Sequence, residues 1–179
     1  MKIIDTTHTE ISIQDFLANV RAWLAKAVPP KTHKYYTEMV YQAMLDLLAY
    51  LRANGFKTYI VSGGEIEFMR AWAEEVYGIP PEQVISTFFT GEYQYNAGKP
   101  VIIRLPELTH YDYGPGKPVS IEGVIGRRPI FAFGNSNGDQ QMLQWTAAGD
   151  GKRSMGLVHH TDAQREWAYD RESKIGSPG

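Results

Sequence analysis

Apolar residues recur three and four positions apart in two stretches of the first third of the chain, a spacing typical of one buried helix face. The first stretch covers residues 13–27 and follows Ser12, with Asp15 three positions on, in the arrangement of a capping box. The second covers residues 40–53 and ends at an Asn-Gly pair. The pattern therefore predicts two amphipathic helices before the first buried strand.

The rest of the chain alternates between short apolar runs and helical periodicity. Apolar runs bounded by Gly, Asn and Pro are typical of buried strands. In order, the pattern predicts a strand at 58–61, a helix at 65–77, a hairpin of strands 84–95 and 101–105, a short helix from Gly116 to about Val124, a strand at 130–133, a helix at 140–148, a strand at 156–158 and a helix at 161–170. This order implies an α/β fold, with a parallel sheet, helices on both faces and right-handed crossovers.

Composition narrows the classes of function. The chain has 179 residues, enough for one domain with a sizeable core, and its net charge of −2 gives no reason to expect nucleic acid or a membrane surface as a partner. The absence of cysteine excludes disulfides, thiol catalysis and cysteine-type zinc sites. No run approaches the ~20 apolar residues of a membrane span, and residues 1–5 lack the apolar region of a signal peptide. We therefore expect a cytoplasmic protein.

The segment 130–143 is the richest in candidate chemistry. Apolar residues lead into a turn of Gly, Asn and Ser at 134–138, and Asp139 begins the helix that follows. In open parallel sheets, ligands bind at such turns, outside the carboxyl ends of the strands. A carboxylate in the first turn of a helix is favoured by the helix dipole and can hold a cation. Ser62, after an earlier strand, and Lys117, at a helix start, are candidates for binding phosphate or another anion.

These segments resemble, in order and rough spacing, three motifs of the haloacid dehalogenase-like superfamily, in its phosphoserine-phosphatase-like branch. Ser62 resembles the residue that binds the transferred phosphoryl group, and Lys117 resembles the lysine that neutralises phosphate and nucleophile. The turn from Asn135 to Asp139 resembles the motif that holds magnesium. The resemblance implies a phosphoester hydrolase that contacts its substrate through Ser62, Gly63 and Asn135 and binds a divalent metal through Asp139.

Three departures from the family pattern bear on activity. The family's first motif is a strand ending in Asp-x-Asp-x-Thr, which supplies the nucleophile and the general acid/base, and almost no sequence precedes the first helix to hold it. Asn137 stands where the branch often has aspartate, which leaves Asp139 as the one carboxylate in a turn that normally binds Mg²⁺. Glu65 occupies a position often taken by a small residue, where a carboxylate would repel phosphate.

Loss of that central strand would leave two rows of unpaired backbone groups, at ~1–3 kcal/mol for each unsatisfied group. Residues 2–7 are one candidate to refill the slot, because Asp5 and the four residues after it follow the pattern Asp-x-Thr-x-Thr, which resembles the phosphorylation motif of P-type ATPases. Asp5 would then be the nucleophile. The alternative is rearrangement of the two strands or pairing between subunits, and we expect a homodimer, with exchange of a strand or segment as one form of it.

The histidines suggest a second route to hydrolysis. His110 and Asp112 lie in one loop, and His160 and Asp162 lie in another, both expected near the carboxyl edge of the sheet. Neutral imidazole and carboxylate form the ligand set of a catalytic zinc or similar site, whose bound hydroxide would hydrolyse an ester without an aspartyl intermediate. On this hypothesis these four side chains and Asp139 hold the metal, and His160 also takes part in catalysis.

The sequence thus supports two hypotheses of different class. The first is a metal-dependent phosphoester hydrolase with Mg²⁺ or Zn²⁺ and a small phosphorylated substrate, in which Lys117 is a catalytic cation. The second is a non-catalytic protein of the same family that folds, dimerises and at most binds an anion. The resemblance divides the chain into a cap remnant at 1–35, a core at 36–173 and a loose tail at 174–179.

Overall fold

The computed structural model describes residues 10–30, 32–159 and 161. In this part of the chain the helices are α1 (Ile13–Leu24), α2 (Gln42–Ala53), α3 (Ile66–Arg70), α4 (Ala73–Tyr77), α5 (Gly116–Ile125) and α6 (Gln140–Ala147). The strands are β1 (Ile60–Glu65), β2 (Val84–Asn96), β3 (Lys99–His110), β4 (Phe131–Gly134) and β5 (Ser154–Leu157). The predicted strand-to-helix order is confirmed over these residues, whereas the predicted helix at 161–170 lies outside them except for residue 161.

The strands form two separate sheets. β2 lies between β1, with which it is parallel, and β3, with which it is antiparallel. β4 and β5 form a second, parallel pair. Among the described residues, β1 and β4 therefore each pair on one side only, and no described strand joins the two sheets.

Local sequence signals set the first helix and the hairpin. Ser12 caps α1 as predicted, because its hydroxyl accepts the N–H of Asp15 at 3.0 Å and donates to the Asp15 carboxylate at 2.7 Å. The turn between β2 and β3 has Ala97 and Gly98 in the left-handed region, with φ of 48° and 78°. Two such residues give the turn type whose twist matches a hairpin. The hairpin is longer than predicted, since β3 continues to His110.

The prediction of a single helix over 65–77 was wrong, because the structure has the two short helices α3 and α4 there. β1 extends to Glu65, and the helical segment is broken at Trp72, whose φ of −140° leaves the helical region. Ala71 and Trp72 pack against α1, whereas Ala73 packs into a second cluster with Ile79. The break thus falls between Trp72, which belongs to the first cluster, and Ala73, which belongs to the second.

The β1–β2 sheet is covered on both faces. Successive residues of a strand point to opposite faces. Ile60 and Val84 accordingly pack with Leu48 of α2 on one side. Val61 and Ile85 pack on the other side, with side chains of α5 and α6 that include Ile121, Ile125, Met142 and Leu143. The predicted α/β class, with helices on both faces, is therefore confirmed for this sheet.

Within the described residues, no helix is long and apolar enough to cross a lipid bilayer.

Candidate functional site

A cavity of about 930 Å³ lies between β1 and β4 and is lined by residues 58–63 on one edge and 131–134 on the other. We call this cavity the slot. One apolar wall comes from α2, through Met44, Leu47, Leu48 and Leu51. The opposite wall comes from α5 and α6, through Ile121, Ile125 and Met142. At the carboxyl end of the strands the lining becomes polar, with Ser62, Gly63, Lys117, Asn135, Ser136 and Asp139.

The turn after Ser62 is held by hydroxyl groups of the neighbouring strand. Ser62 Oγ accepts the N–H of Gly64 at 3.1 Å, which fixes the hydroxyl and leaves its hydrogen free to be donated. Ser86 Oγ donates to the carbonyl of Ser62 at 2.8 Å and also to that of Gly64. Thr87 Oγ1 donates to the Gly63 carbonyl at 3.0 Å. Because Ser86 and Thr87 are buried, the turn is braced from inside the sheet.

Lys117 is buried at the start of α5, and its ammonium enters the polar end of the slot. Nζ donates to the Val61 carbonyl at 2.7 Å and to Asp139 Oδ1 at 2.8 Å. The side chains of Lys117 and Asp139 are only 6% and 8% exposed. A buried charge pair is tolerated when each charge has further hydrogen-bond partners, and both do here.

Asp139 is held by the backbone of the turn before it. Its Oδ2 accepts the N–H of Asn135 at 2.9 Å and of Ser136 at 3.1 Å. Gly134 allows this close approach, because a Cβ there would lie 2.5 Å from the Cβ of Asp139. The carboxylate therefore bridges the end of β4 to Lys117.

His110 and Asp112, which were predicted as metal ligands, lie outside the slot lining. Asp112 is fully buried, accepts a hydrogen bond from Ser120 Oγ, and has Oδ1 3.6 Å from His110 Nε2. Its backbone N–H donates to Thr87 Oγ1 at 3.0 Å. The structure thus places Asp112 behind the braced turn. The remaining predicted residues, Asp5, His160 and Asp162, lie outside the described part of the chain.

Comparison with known proteins identifies the family of the chain. A family model of haloacid dehalogenase-like hydrolases matches residues 1–144. The chain belongs to this family. Among curated proteins, none matches the sequence.

Two solved structures resemble the fold. A conserved functionally unknown protein from Anaerococcus prevotii DSM 20548 is 20% identical with a TM-score of 0.61, and the match covers 86% of this chain and 45% of that one. A phosphoserine phosphohydrolase-like protein from Francisella tularensis subsp. tularensis SCHU S4 is 19% identical with a TM-score of 0.43, covering 77% of this chain and 62% of that one. The chain spans less than two thirds of either protein, and the first likeness is one of fold alone.

The described residues do not by themselves form a binding site for the divalent metal that the haloacid dehalogenase-like family implies. Both oxygens of Asp139 already contact donors, Lys117 on one and two backbone N–H groups on the other. Among the described residues, no three His, Asp or Glu side chains come together, so His110, Asp112 and Asp139 do not share a ligand set.

The expectation that the Glu65 carboxylate would repel a phosphate is not supported by its position. Glu65 lies outside the slot lining, and its Oε1 is 3.1 Å from Arg104 Nη2. The Arg104 guanidinium also lies 4.1 Å from the centre of the Phe16 ring, which joins the hairpin to α1. Burial raises the pKa of Glu65 to about 8, and a hydrogen bond with Glu67 adds to that rise, while Arg104 opposes it.

Sequence reasoning missed the hydroxyl groups behind the site. Ser86 and Thr87 interrupt an otherwise apolar strand, and this polar pair in a buried run was the available signal. The hydroxyl of Tyr113 donates to Asn137 Oδ1 at 3.2 Å, and its ring lies against Gly138. Ser120 carried no sequence signal, because its role depends on the position of Asp112 in the fold.

Proposed function

We propose that this chain is a phosphoester hydrolase that binds the phosphoryl group of a small substrate at the polar end of the slot. The supporting observation is the convergence of Ser62, Lys117 and Asn135 on one cavity, from three segments far apart in the sequence. The cavity volume of about 930 Å³ is at the upper end of the range for small-molecule sites.

The donors suit a phosphoryl oxygen. An ammonium has three N–H donors, and two of those of Lys117 are directed to Val61 and Asp139. The third has no acceptor among the described residues, and we propose that it binds the ligand. The Ser62 hydroxyl is oriented by Gly64 and can donate its hydrogen. Donors that are already fixed stabilise the charge that develops on the phosphoryl group without reorganisation during the reaction.

Two nucleophiles are candidates, and our proposal takes the carboxylate of Asp5 rather than a metal-bound water. The metal-bound water hypothesis used His110 and Asp112, which lie outside the slot lining. The family match includes residue 5. In this mechanism a carboxylate oxygen of Asp5 forms a bond to phosphorus as the ester P–O bond breaks and the alcohol leaves as its anion. Water then attacks phosphorus, releases phosphate and restores the Asp5 carboxylate.

The test is release of 4-nitrophenolate from 4-nitrophenyl phosphate by the full chain, with Mg²⁺, with Zn²⁺ and with a chelator. We expect Lys117→Met to lower kcat/KM by roughly 10²–10³-fold, as for loss of one preorganised donor. The matched control is Lys99→Met, a change of an exposed lysine of the hairpin that lies outside the slot lining. Loss of activity on chelation would support the metal dependence that the family implies.

Further variants separate the alternatives. Loss of turnover in Asp5→Asn but not in His160→Gln supports the aspartyl mechanism, and the reverse pattern supports activated water. Binding of inorganic phosphate that depends on Lys117, without turnover under any metal condition, supports the non-catalytic alternative. No turnover and no phosphate binding would overturn the proposed function.

A further inference from the structure

Two tyrosine rings lie side by side next to the polar end of the slot. The ring centres of Tyr111 and Tyr113 are 5.7 Å apart, and the ring planes are within 17° of parallel. Tyr113 is part of the slot lining. The two side chains are 47% and 44% exposed, so a ligand can reach part of both rings. Aromatic surface beside a few convergent polar groups is typical of a site for a ligand with an apolar part.

The Tyr113 ring is fixed between the two turns of the candidate site. A Cβ added at Gly63 would lie 3.5 Å from Tyr113 Cδ2, and one added at Gly138 would lie 2.4 Å from Cε2. Glycine at 138 therefore leaves the ring a space that a side chain would fill. The Tyr113 hydroxyl donates to Asn137 Oδ1 at 3.2 Å, which fixes the far end of the ring. A ring held in this way loses little conformational freedom when a ligand packs against it.

The loop that carries Tyr113 also positions Lys117. Gly116 N–H donates to the Tyr113 carbonyl at 3.0 Å. Lys117 N–H donates to the Gly114 carbonyl at 3.2 Å. Gly114 N–H in turn donates to the Gly138 carbonyl at 3.1 Å, which ties the loop to the turn that follows β4. The aromatic ring and the start of the lysine side chain are thus held on one short, hydrogen-bonded loop beside the polar end of the slot.

We propose that Tyr113 makes the site selective for aryl phosphates, whose aromatic leaving group packs against the exposed surface of its ring. The inference rests on the proposed function, because it assigns the substrate class of the same site. The phosphoryl group binds Ser62 and Lys117, and in an aryl phosphate a single oxygen joins the aromatic ring to phosphorus. The ring of the substrate therefore lies directly beside the bound phosphoryl group, where Tyr113 is.

The chemistry of the ring favours a flat apolar group over a sugar or another polyhydroxylated alcohol. The hydroxyl hydrogen of Tyr113 is already donated to Asn137, so the ring offers a ligand mainly its carbon surface. Aromatic rings attract one another in offset-stacked and edge-to-face arrangements, beyond the gain from burial of apolar area. The contact should therefore distinguish an aromatic ring from a saturated ring of similar size.

Binding of non-hydrolysable ligands to the full chain tests this preference without turnover. The probes are inorganic phosphate, phenylphosphonate and cyclohexylphosphonate, titrated by calorimetry, with each dissociation constant corrected for the fraction of dianion. We expect phenylphosphonate to bind roughly three- to tenfold more tightly than cyclohexylphosphonate, as for one aromatic contact.

Three variants locate the preference. Tyr113→Leu should abolish it and leave the affinity for phosphate unchanged, because Ser62 and Lys117 are retained. Tyr113→Phe keeps the ring and should keep the preference, which separates the ring from its hydroxyl bond. The matched control is Tyr93→Leu, a change of an exposed hairpin tyrosine outside the slot lining, and it should also keep the preference.

The outcomes separate this inference from the proposed function. Phosphate binding with equal affinity for the two phosphonates in the unmodified chain would overturn the inference and leave the proposed function standing. A preference that persists in Tyr113→Leu would also overturn it. No binding of phosphate or of either phosphonate would overturn both.

A second measurement needs no Tyr113→Leu protein. The ring signals of Tyr113 in the magnetic resonance spectrum are assigned from their absence in Tyr113→Phe. In the unmodified chain, phenylphosphonate should shift these signals more than cyclohexylphosphonate does, because an aromatic ligand adds its own ring current. Equal shifts with the two ligands would contradict the contact.

Discussion

The buried pair of Lys117 and Asp139 gives the sharpest prediction of stability. The two charges are 2.8 Å apart, with side chains 6% and 8% exposed. Removing one partner of such a pair usually costs ~3–5 kcal/mol, because the other charge stays buried. Two backbone N–H bonds to Asp139 remain in Lys117→Met, which favours the lower end. We expect a loss of about 3 kcal/mol, or a Tm about 6–12 °C lower for a chain of this size.

A double-mutant cycle separates the pair from its surroundings. Urea unfolding followed by tryptophan fluorescence gives the free energy of unfolding of Lys117→Met, Asp139→Asn and the double variant. Since the second substitution removes the charge that the first left buried, the double variant should be more stable than the sum predicts, by about 1.5–3 kcal/mol. Additivity within ~0.5 kcal/mol would refute this reasoning. Loss of an exposed lysine salt bridge typically lowers the free energy of unfolding by less than ~1 kcal/mol. A loss no larger than this in Lys117→Met would also refute the reasoning.

Three further predictions follow from single contacts. Because folding raises the pKa of Glu65 from 4.5 to about 8, the folded state binds more protons in that range, and stability should fall as pH rises through it. Glu65→Gln should flatten this part of the unfolding profile, and parallel profiles would contradict it. Gly138→Ala places a Cβ 2.4 Å from the Tyr113 ring and should lower the free energy of unfolding in urea by ~1–3 kcal/mol. The control Gly123→Ala, which has open space around it in α5, should raise that free energy by ~0.5–1 kcal/mol. Equal effects of the two substitutions would exclude the Tyr113 contact as the cause. Ser12→Ala should cost ~1 kcal/mol through loss of the α1 cap, and an unchanged unfolding midpoint would show that the cap contributes nothing.

Local elements were predictable wherever the signal lies within a few residues. The α1 cap depends on Ser12 and Asp15, and the hairpin turn depends on Ala97 and Gly98. Such signals operate over one turn of backbone, so neighbouring residues suffice to set them. The break at Trp72 was not predictable in this way. Trp72 and Ala73, on either side of it, pack into different clusters, and the helical spacing of residues 65–77 does not report this difference.

The candidate site was likewise predictable only in part. The sequence by itself determined the order of elements and supplied Ser62, Lys117 and Asp139 as polar residues at strand ends and helix starts, because these depend on periodicity and local residue type. Only the tertiary structure decided that these three share one cavity while His110 and Asp112 lie outside its lining. The physical reason is that side chains distant in sequence meet only through the pairing of strands and the burial of helix faces. Those are properties of the whole packed chain.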